Sequence, residues 1–163
     1  MAEIDAIDRR IIMALQRDCR QSMAELGEAA GLSASACHRR VRLLEDHGYI
    51  TGYGARLDRR RLGFQIEFFV EVELNAQSDA ALMAFERAVG RVEEILECHL
   101  MAGGTDYLLR VVALDVNDFE RIHRERLTKL PHVSRVHSNL AMRTVRGWDG
   151  YPVPARVPGP VRS

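Results

Sequence analysis

The chain has 163 residues, and its 23 Lys and Arg balance 23 Asp and Glu, so the formal net charge is zero. With 47% hydrophobic and 28% charged residues, it has the composition of one globular domain or two small ones. This excludes a disordered chain, a membrane protein and a large multidomain enzyme. Because the N-terminus has no basic and apolar leader pattern, we expect a cytoplasmic protein.

The first two predicted helices are recognisable by their caps. Asp5 is a good N-cap for a helix over about residues 5–17. Ser22 and Glu25 have the spacing of a capping box, and Gly31 ends the helix that follows them. The residues that helical spacing places on the buried faces are Ile7, Ile11, Ile12, Leu15, Leu26, Ala29 and Ala30.

A third helix is predicted almost immediately after the second. Ser33 is its N-cap and Gly48 its end, with Cys37, Val41 and Leu44 facing inward. Two helices joined by so tight a turn predict a helix-turn-helix.

The region after the third helix predicts a connector and a second domain. Residues 50–57 have strand character and residues 58–63 form a polar hinge. The order that follows is β-α-β-β-α-β, which predicts a ferredoxin-like sandwich with both helices on one face of an antiparallel sheet. The predicted strands are 66–74, 96–100, 107–113 and 136–145, and the predicted helices are 82–89 and 119–130.

These elements predict an α+β protein in four parts. They are a winged-type helix-turn-helix domain at 1–49, a linker strand and hinge at 50–63, a βαββαβ domain at 64–147 and a Pro-rich tail at 148–163. We expect the tail to be extended or disordered, with a strap onto a neighbouring subunit as the alternative.

The outward face of the third helix suggests contact with DNA. Seven Arg against three acidic residues give residues 33–61 a net charge of +4, whereas 12 basic and 14 acidic residues follow from residue 64 onward. Side chains on the N-terminal half of a recognition helix reach base edges in the major groove, and Arg suits guanine. A solvated surface helix is the alternative, which the basic excess and the tight turn disfavour. The candidate DNA-binding residues are Ser33, Ser35, His38, Arg39 and Arg42, and Arg56 and Arg59 to Arg61 are weaker candidates for phosphate contacts.

The sequence resembles the Lrp/AsnC family of leucine-responsive, or feast/famine, transcriptional regulators. The resemblance rests on residues 5–12, 31–45, 48–53 and 97–110, and it extends over about 4–147. It implies a DNA-binding regulator whose second domain pairs sheet to sheet into dimers, which commonly assemble into octamers. Phe69, His99 and Met101, predicted on the outer sheet face, fit such a covered surface. The two helix-turn-helix domains of a symmetric dimer, which we call its heads, would match a pseudo-palindromic operator in double-stranded DNA.

The loop from Gly103 to Asp106 is the candidate small-molecule site. Glycines allow close approach of a ligand, exposed amides can hold a carboxylate, and Asp106 can hold an ammonium group. From the residues alone, a plain hairpin turn capped by Asp106 is the alternative. The resemblance implies an amino-acid effector bound by this loop where dimers meet. The candidate effector-binding residues are Leu100, Met101, Gly103, Gly104, Thr105, Asp106, Asn139, Leu140 and Ala141.

Catalytic and metal-binding patterns are missing from the sequence. There is no Ser-His-Asp set, Walker loop or HExxH motif, and the cysteines have no CxxC spacing. We therefore predict no enzyme, no cofactor, no metal site and no membrane partner. The alternatives to a specific regulator are a nucleoid-type architectural protein without an effector and a metabolite-binding enzyme.

Overall fold

The computed structural model describes residues 4–154. These residues form two compact units, one of residues 4–55 with 146–154 and the other of residues 56–145. The boundary after residue 55 lies inside the predicted linker.

The N-terminal unit contains three α-helices, α1 (Ala6–Arg17), α2 (Met23–Ala30) and α3 (Ala34–Asp46). Asp5 caps α1 by accepting hydrogen bonds from the backbone N–H groups of Ile7 and Asp8. The predicted capping box of α2 is present between Ser22 and Glu25. The hydrophobic core of the N-terminal unit consists of Ile4, Ile11, Leu15, Leu26, Ala30, Cys37, Val41 and Leu44.

The second unit contains a four-stranded antiparallel sheet. Its strand order is β2-β3-β1-β4, as in a ferredoxin-like fold. The strands are β1 (Ile66–Leu74), β2 (Ile95–Leu100), β3 (Tyr107–Ala113) and β4 (Val133–Leu140), and the helices are α4 (Asp79–Val89) and α5 (Val116–Glu125).

Both helices of this unit pack on the same sheet face. Phe85 of α4 and Ile122 of α5 are fully buried in one core with the alternate residues of β1 and β3. Phe68 stacks on Phe119 with ring centroids 3.4 Å apart, and Phe85 lies 4.5 Å from the ring of Tyr107. The predicted βαββαβ sandwich is confirmed.

Two predicted strands were wrong. Residues 50–57 are not part of any strand, because no neighbouring strand pairs with them within residues 4–154; the expected wing is therefore missing from the described chain. The last strand is Val133–Leu140 instead of 136–145. It ends there because its partner β1 begins at Ile66, and the Ala141 N–H makes a final hydrogen bond to the Glu67 carbonyl.

The tail is only partly within the described residues. Residues 148–154 contain no helix or strand, but they contact α1 by hydrogen bonds through Tyr151. The expectation of disorder is wrong for this segment, and the rest of the predicted tail, 155–163, lies outside the described residues.

Candidate functional site

The five candidate DNA-binding residues all lie at the exposed surface of α3 or its cap. Ser33 accepts a hydrogen bond from the Ala36 N–H and thereby caps the helix. The opposite face of α3 is fixed by the burial of Cys37, Val41 and Leu44. The exposed set is Ser33, Ser35, His38, Arg39 and Arg42, which the fold presents together as the sequence predicted.

Arg40, which lies between these residues, has a structural role. Its guanidinium contacts Asp5 and Asp8, each at 2.8 Å, and so joins α3 to the capping box of α1. The hydrogen bonds with Asp8 and then Asp5 raise the pKa of Arg40. Within residues 4–154 no ion pair involves Arg39 or Arg42, so their guanidinium groups are available to a ligand.

Gly27 was not identified from the sequence, although it fixes the turn between α2 and α3. A Cβ atom there would lie 2.8 Å from the carbonyl oxygen of Leu32 and 3.3 Å from the backbone of Ser33. Gly31 then takes the left-handed conformation, with φ 73°. The sequence did contain a signal for this role, which is a glycine inside a helical pattern. Such a glycine lowers helix stability, so its presence indicates a packing requirement at that position.

The linker contacts the recognition helix through Tyr53. Its hydroxyl donates a hydrogen bond of 2.8 Å to Glu45 of α3. Burial, and secondly this contact with Glu45, raise the pKa of Tyr53 to about 12. Tyr53 therefore remains a neutral donor at physiological pH.

Arg59, a candidate for a phosphate contact, is engaged within its own unit. It donates a hydrogen bond of 2.7 Å to the Phe64 carbonyl and lies 3.7 Å from the buried Glu67 carboxylate. Arg61 is instead highly exposed and has only a loose ion pair with Asp58. These contacts disfavour a phosphate contact by Arg59 and leave Arg61 accessible.

The candidate effector loop is held by Asp106. One carboxylate oxygen accepts from the Leu74 N–H and the other from the Gln77 side-chain amide, both at 2.7 Å. Gln77 was not identified from the sequence, because it is 29 residues away. The backbone N–H groups of Gly103, Gly104 and Thr105 donate no hydrogen bond to another described residue, so they remain available to a ligand.

Leu100 and Met101 lie beside this loop, since Leu100 pairs with Tyr107 and the Met101 N–H donates to the Asp106 carbonyl, but the candidate contacts at the end of β4 are not adjacent to it in one chain. Leu100 ends β2 at one edge of the sheet, whereas Asn139 and Leu140 end β4 at the opposite edge. Two strands lie between these edges, which corresponds to about 14 Å across the sheet. The antiparallel order also places the two sets at opposite ends of the strands. A ligand that contacts both sets therefore requires a second copy of the chain.

The outer sheet face carries exposed apolar groups beside an ion-pair network. Phe69 and His99 are exposed, as predicted, and His99 lies 3.3 Å from Glu97. Arg110 bonds both Glu97, at 2.7 Å, and the buried Glu67. The Arg110 hydrogen bond is the main reason that the pKa of Glu97 is lowered.

Within residues 4–154, no helix is long and apolar enough to cross a membrane. The same part of the chain brings together no group of three His, Cys, Asp or Glu residues able to hold a metal ion.

Comparison with known families matches both units. The model of the AsnC-type helix-turn-helix domain matches residues 4–45, and the model of the Lrp/AsnC ligand binding domain matches residues 67–147. The chain belongs to the Lrp/AsnC family. It is a DNA-binding transcriptional regulator with a ligand-binding domain.

Curated Lrp/AsnC relatives cover most of the chain. The chain is 42% identical over 142 residues to the proline dehydrogenase transcriptional activator of Rhodobacter capsulatus, covering 87% of this chain and 92% of the relative. It is 39% identical over 144 residues to the leucine-responsive regulatory protein of Escherichia coli K12, covering 88% of each.

Solved structures agree with this Lrp/AsnC fold. A transcriptional regulator from Neisseria meningitidis, solved as its L-Met complex, has a TM-score of 0.87 at 29% identity, covering 91% of this chain and 96% of that one. An AsnC family regulator from Agrobacterium tumefaciens has the same TM-score at 30% identity and covers 91% of this chain and 97% of its own.

Proposed function

We propose that this regulator binds a pseudo-palindromic operator as a dimer or octamer and that a free amino acid controls its binding. The observation that carries the DNA part is the exposed face of α3, where Arg39 and Arg42 make no ion pair with any other residue of 4–154. The proposal assigns base contacts to Ser35, His38, Arg39 and Arg42, and phosphate contacts to Ser33 and the first amides of α3. Because its target is the duplex, we place this function in the cytoplasm and assign no catalytic step to the chain.

Two heads are required for the proposed operator. A symmetric dimer presents two recognition helices, which match half-sites about 34–36 Å apart on one face of the duplex. The exposed Phe69 on the outer sheet face supports a surface covered by a second copy, since exposed apolar patches mark interaction sites.

The effector part of the proposal rests on the loop between β2 and β3. The available N–H groups of Gly103, Gly104 and Thr105 suit a carboxylate, and the remaining lone pairs of Asp106 suit an ammonium group. Free α-amino acids carry both charges, and the Neisseria meningitidis relative was solved with L-Met. Leu100 and Met101 beside the loop, with Asn139, Leu140 and Ala141 of another copy, complete the proposed site. Binding there shifts the assembly and with it the spacing of the heads.

Operator recognition is tested with Arg39→Ala and Arg42→Ala. Each variant should weaken binding to the promoter region of its own gene by about 1–3 kcal/mol, because each removes a base contact. Arg87→Ala is the matched control, since Arg87 lies exposed on α4 of the other unit and should leave binding unchanged. Equal affinity of the unmodified protein for this promoter and for random DNA at fixed salt would instead indicate an architectural protein.

Effector binding is tested by thermal unfolding in the presence of each of the twenty amino acids. A ligand at 100 times its Kd stabilises the folded state by about 2.7 kcal/mol. A response to one or a few amino acids supports the proposal, and no response to any of them overturns the amino-acid assignment.

A further inference from the structure

The segment from Trp148 to Val153, which we call the C-terminal strap, lies on helix α1 of the DNA-binding unit. Two hydrogen bonds join it to Gln16. The Gln16 side-chain amide donates to the Tyr151 carbonyl at 3.0 Å, and the Tyr151 N–H donates to Gln16 Oε1 at 2.7 Å. One side chain thus satisfies both backbone groups of one strap residue, as a neighbouring strand would.

Gly150 fits this contact for two independent reasons. Its φ of 104° lies in the region that side chains rarely adopt. A Cβ atom at this position would also overlap the side-chain amide of Gln16. A side chain at position 150 would therefore displace the Gln16 amide from its hydrogen bonds with Tyr151.

Apolar packing accompanies the hydrogen bonds at the C-terminal end of the strap. Val153 packs against the hydrophobic core of the DNA-binding unit. Within the strap, Trp148 and Tyr151 contact each other edge to face, with ring centroids 4.5 Å apart. The strap is therefore seated by hydrogen bonds, backbone geometry and apolar packing together.

The strap contacts described here are on α1, whereas the candidate DNA-binding side chains project from α3. Because α1 is not the recognition helix, a seated strap does not occupy the proposed base-reading surface. This arrangement favours a positioning role over a blocking one.

We propose that the C-terminal strap is a second attachment of the DNA-binding unit, held on α1 by Gln16, and that it limits the orientations of this unit. The first attachment is the linker at 50–63, which follows α3. The strap is continuous in sequence with the end of β4, eight residues beyond Leu140. A DNA-binding unit that is attached at both points has fewer orientations than one attached only by the linker. It therefore loses less orientational entropy when two such units bind one operator, so the strap strengthens operator binding.

The single Trp of the chain is the reporter for the strap. In the whole chain, Gln16→Ala and Gly150→Ala should each lower the fluorescence anisotropy of Trp148, because a released strap moves independently of α1. The loss of the two hydrogen bonds between Gln16 and Tyr151 should shift the ratio of seated to released strap about tenfold. Gln21→Ala is the matched control, because the Gln21 amide also makes two hydrogen bonds in this unit, to Ala14 and Asp18.

Two results would overturn the inference. One is a Trp148 signal in Gln16→Ala that equals the signal in Gln21→Ala, which would mean that Gln16 does not hold the strap. The other is a released strap with unchanged operator affinity, because the positioning role requires a loss of several-fold. The fluorescence measurement needs neither DNA nor effector, so failure of the proposed operator or amino-acid function would leave it intact.

Discussion

The Gln77 side-chain amide donates a hydrogen bond of 2.7 Å to Asp106 Oδ1 and thereby joins the loop before α4 to the candidate effector loop. The Leu74 N–H occupies the other oxygen of the same carboxylate. Asp106 therefore has a structural role within the chain, and an ammonium group would share it. Of the two interpretations that the sequence left open, these bonds account for a structural role of Asp106, and the ligand contact stays a prediction.

Substitution at these two positions separates the roles. Gln77→Ala keeps the Asp106 charge and its bond to Leu74, so we expect an unfolding free energy lower by about 1 kcal/mol and amino-acid binding weaker by several-fold. Asp106→Asn keeps an acceptor for Leu74 but loses the charge, so binding should fall at least about tenfold. Calorimetric titration and urea unfolding measure the two effects. Undiminished amino-acid binding by Asp106→Asn would show that Asp106 is only structural.

A side chain at Gly27 should disturb the helix-turn-helix. Gly27→Ala places a methyl group 2.8 Å from the Leu32 carbonyl oxygen, so the turn must shift, at a cost of about 1–3 kcal/mol of unfolding free energy. Operator affinity should also fall, because the same turn sets the start of α3. Gly52→Ala is the control, since no atom lies within 4 Å of its Cβ position. Equal urea midpoints for the two variants would contradict this account.

Most of the fold could be predicted because its signals are local. The caps at Asp5, Ser22 and Ser33 each use a side chain within three residues of the bond that it makes, so spacing alone identifies them. Strand β1 was likewise recognisable by strict alternation, with Val70 and Val72 fully buried.

The features that the sequence did not predict correctly depend on partners that are distant along the chain. The linker residues 50–57 have strand composition, yet a strand requires a neighbour to pair with. Gln16 contacts Tyr151 across 135 residues, and no local pattern marks such a pair. Asn139 lies at the opposite edge of the sheet from Leu100 because of the strand order. The distance between these two candidate residues was not predicted from the order of elements along the chain.

Removal of the Arg40 guanidinium should weaken the N-terminal unit and change its acid response. The Asp8 backbone N–H, and then Arg40, lower the pKa of Asp5 below its ordinary value of 3.8. A lowered carboxyl pKa stabilises the folded state above pH 3.8, and this contribution is lost as the pH falls towards the folded-state pKa. Arg40→Ala should cost about 1 kcal/mol at pH 7, because half-exposed Asp5 is screened by solvent.

The measurement for Arg40 is urea unfolding at pH 7 and at pH 2.5. The difference between Arg40→Ala and the unmodified protein should shrink at the lower pH, because the stabilisation from the lowered pKa of Asp5 is lost as the pH falls below 3.8. Arg39→Ala is the control, since Arg39 has no ion pair among the described residues. A difference that is the same at both pH values would show that Arg40 acts by packing instead of charge.

The contact between Arg110 and Glu67 should stabilise the second unit, residues 56–145, more than an exposed ion pair does. The Glu67 side chain is only 4% exposed, and without Arg110 its nearest cation is Arg59 at 3.7 Å. Arg110→Met therefore leaves a buried carboxylate poorly paired, and we expect it to lower the unfolding free energy by about 3 kcal/mol. Arg135→Met is the matched control, because Arg135 forms an exposed pair with Glu73 on the same sheet and should cost less than about 1 kcal/mol.

The double variant Glu67→Gln/Arg110→Met tests the cause of this loss. Removing the buried charge together with its partner should recover about 1–2 kcal/mol relative to the sum of the single variants, because no unpaired carboxylate remains. Urea unfolding of all four proteins gives this coupling energy directly. Strictly additive losses would mean that Arg110 stabilises the sheet through its hydrocarbon stem and not through the charge of Glu67.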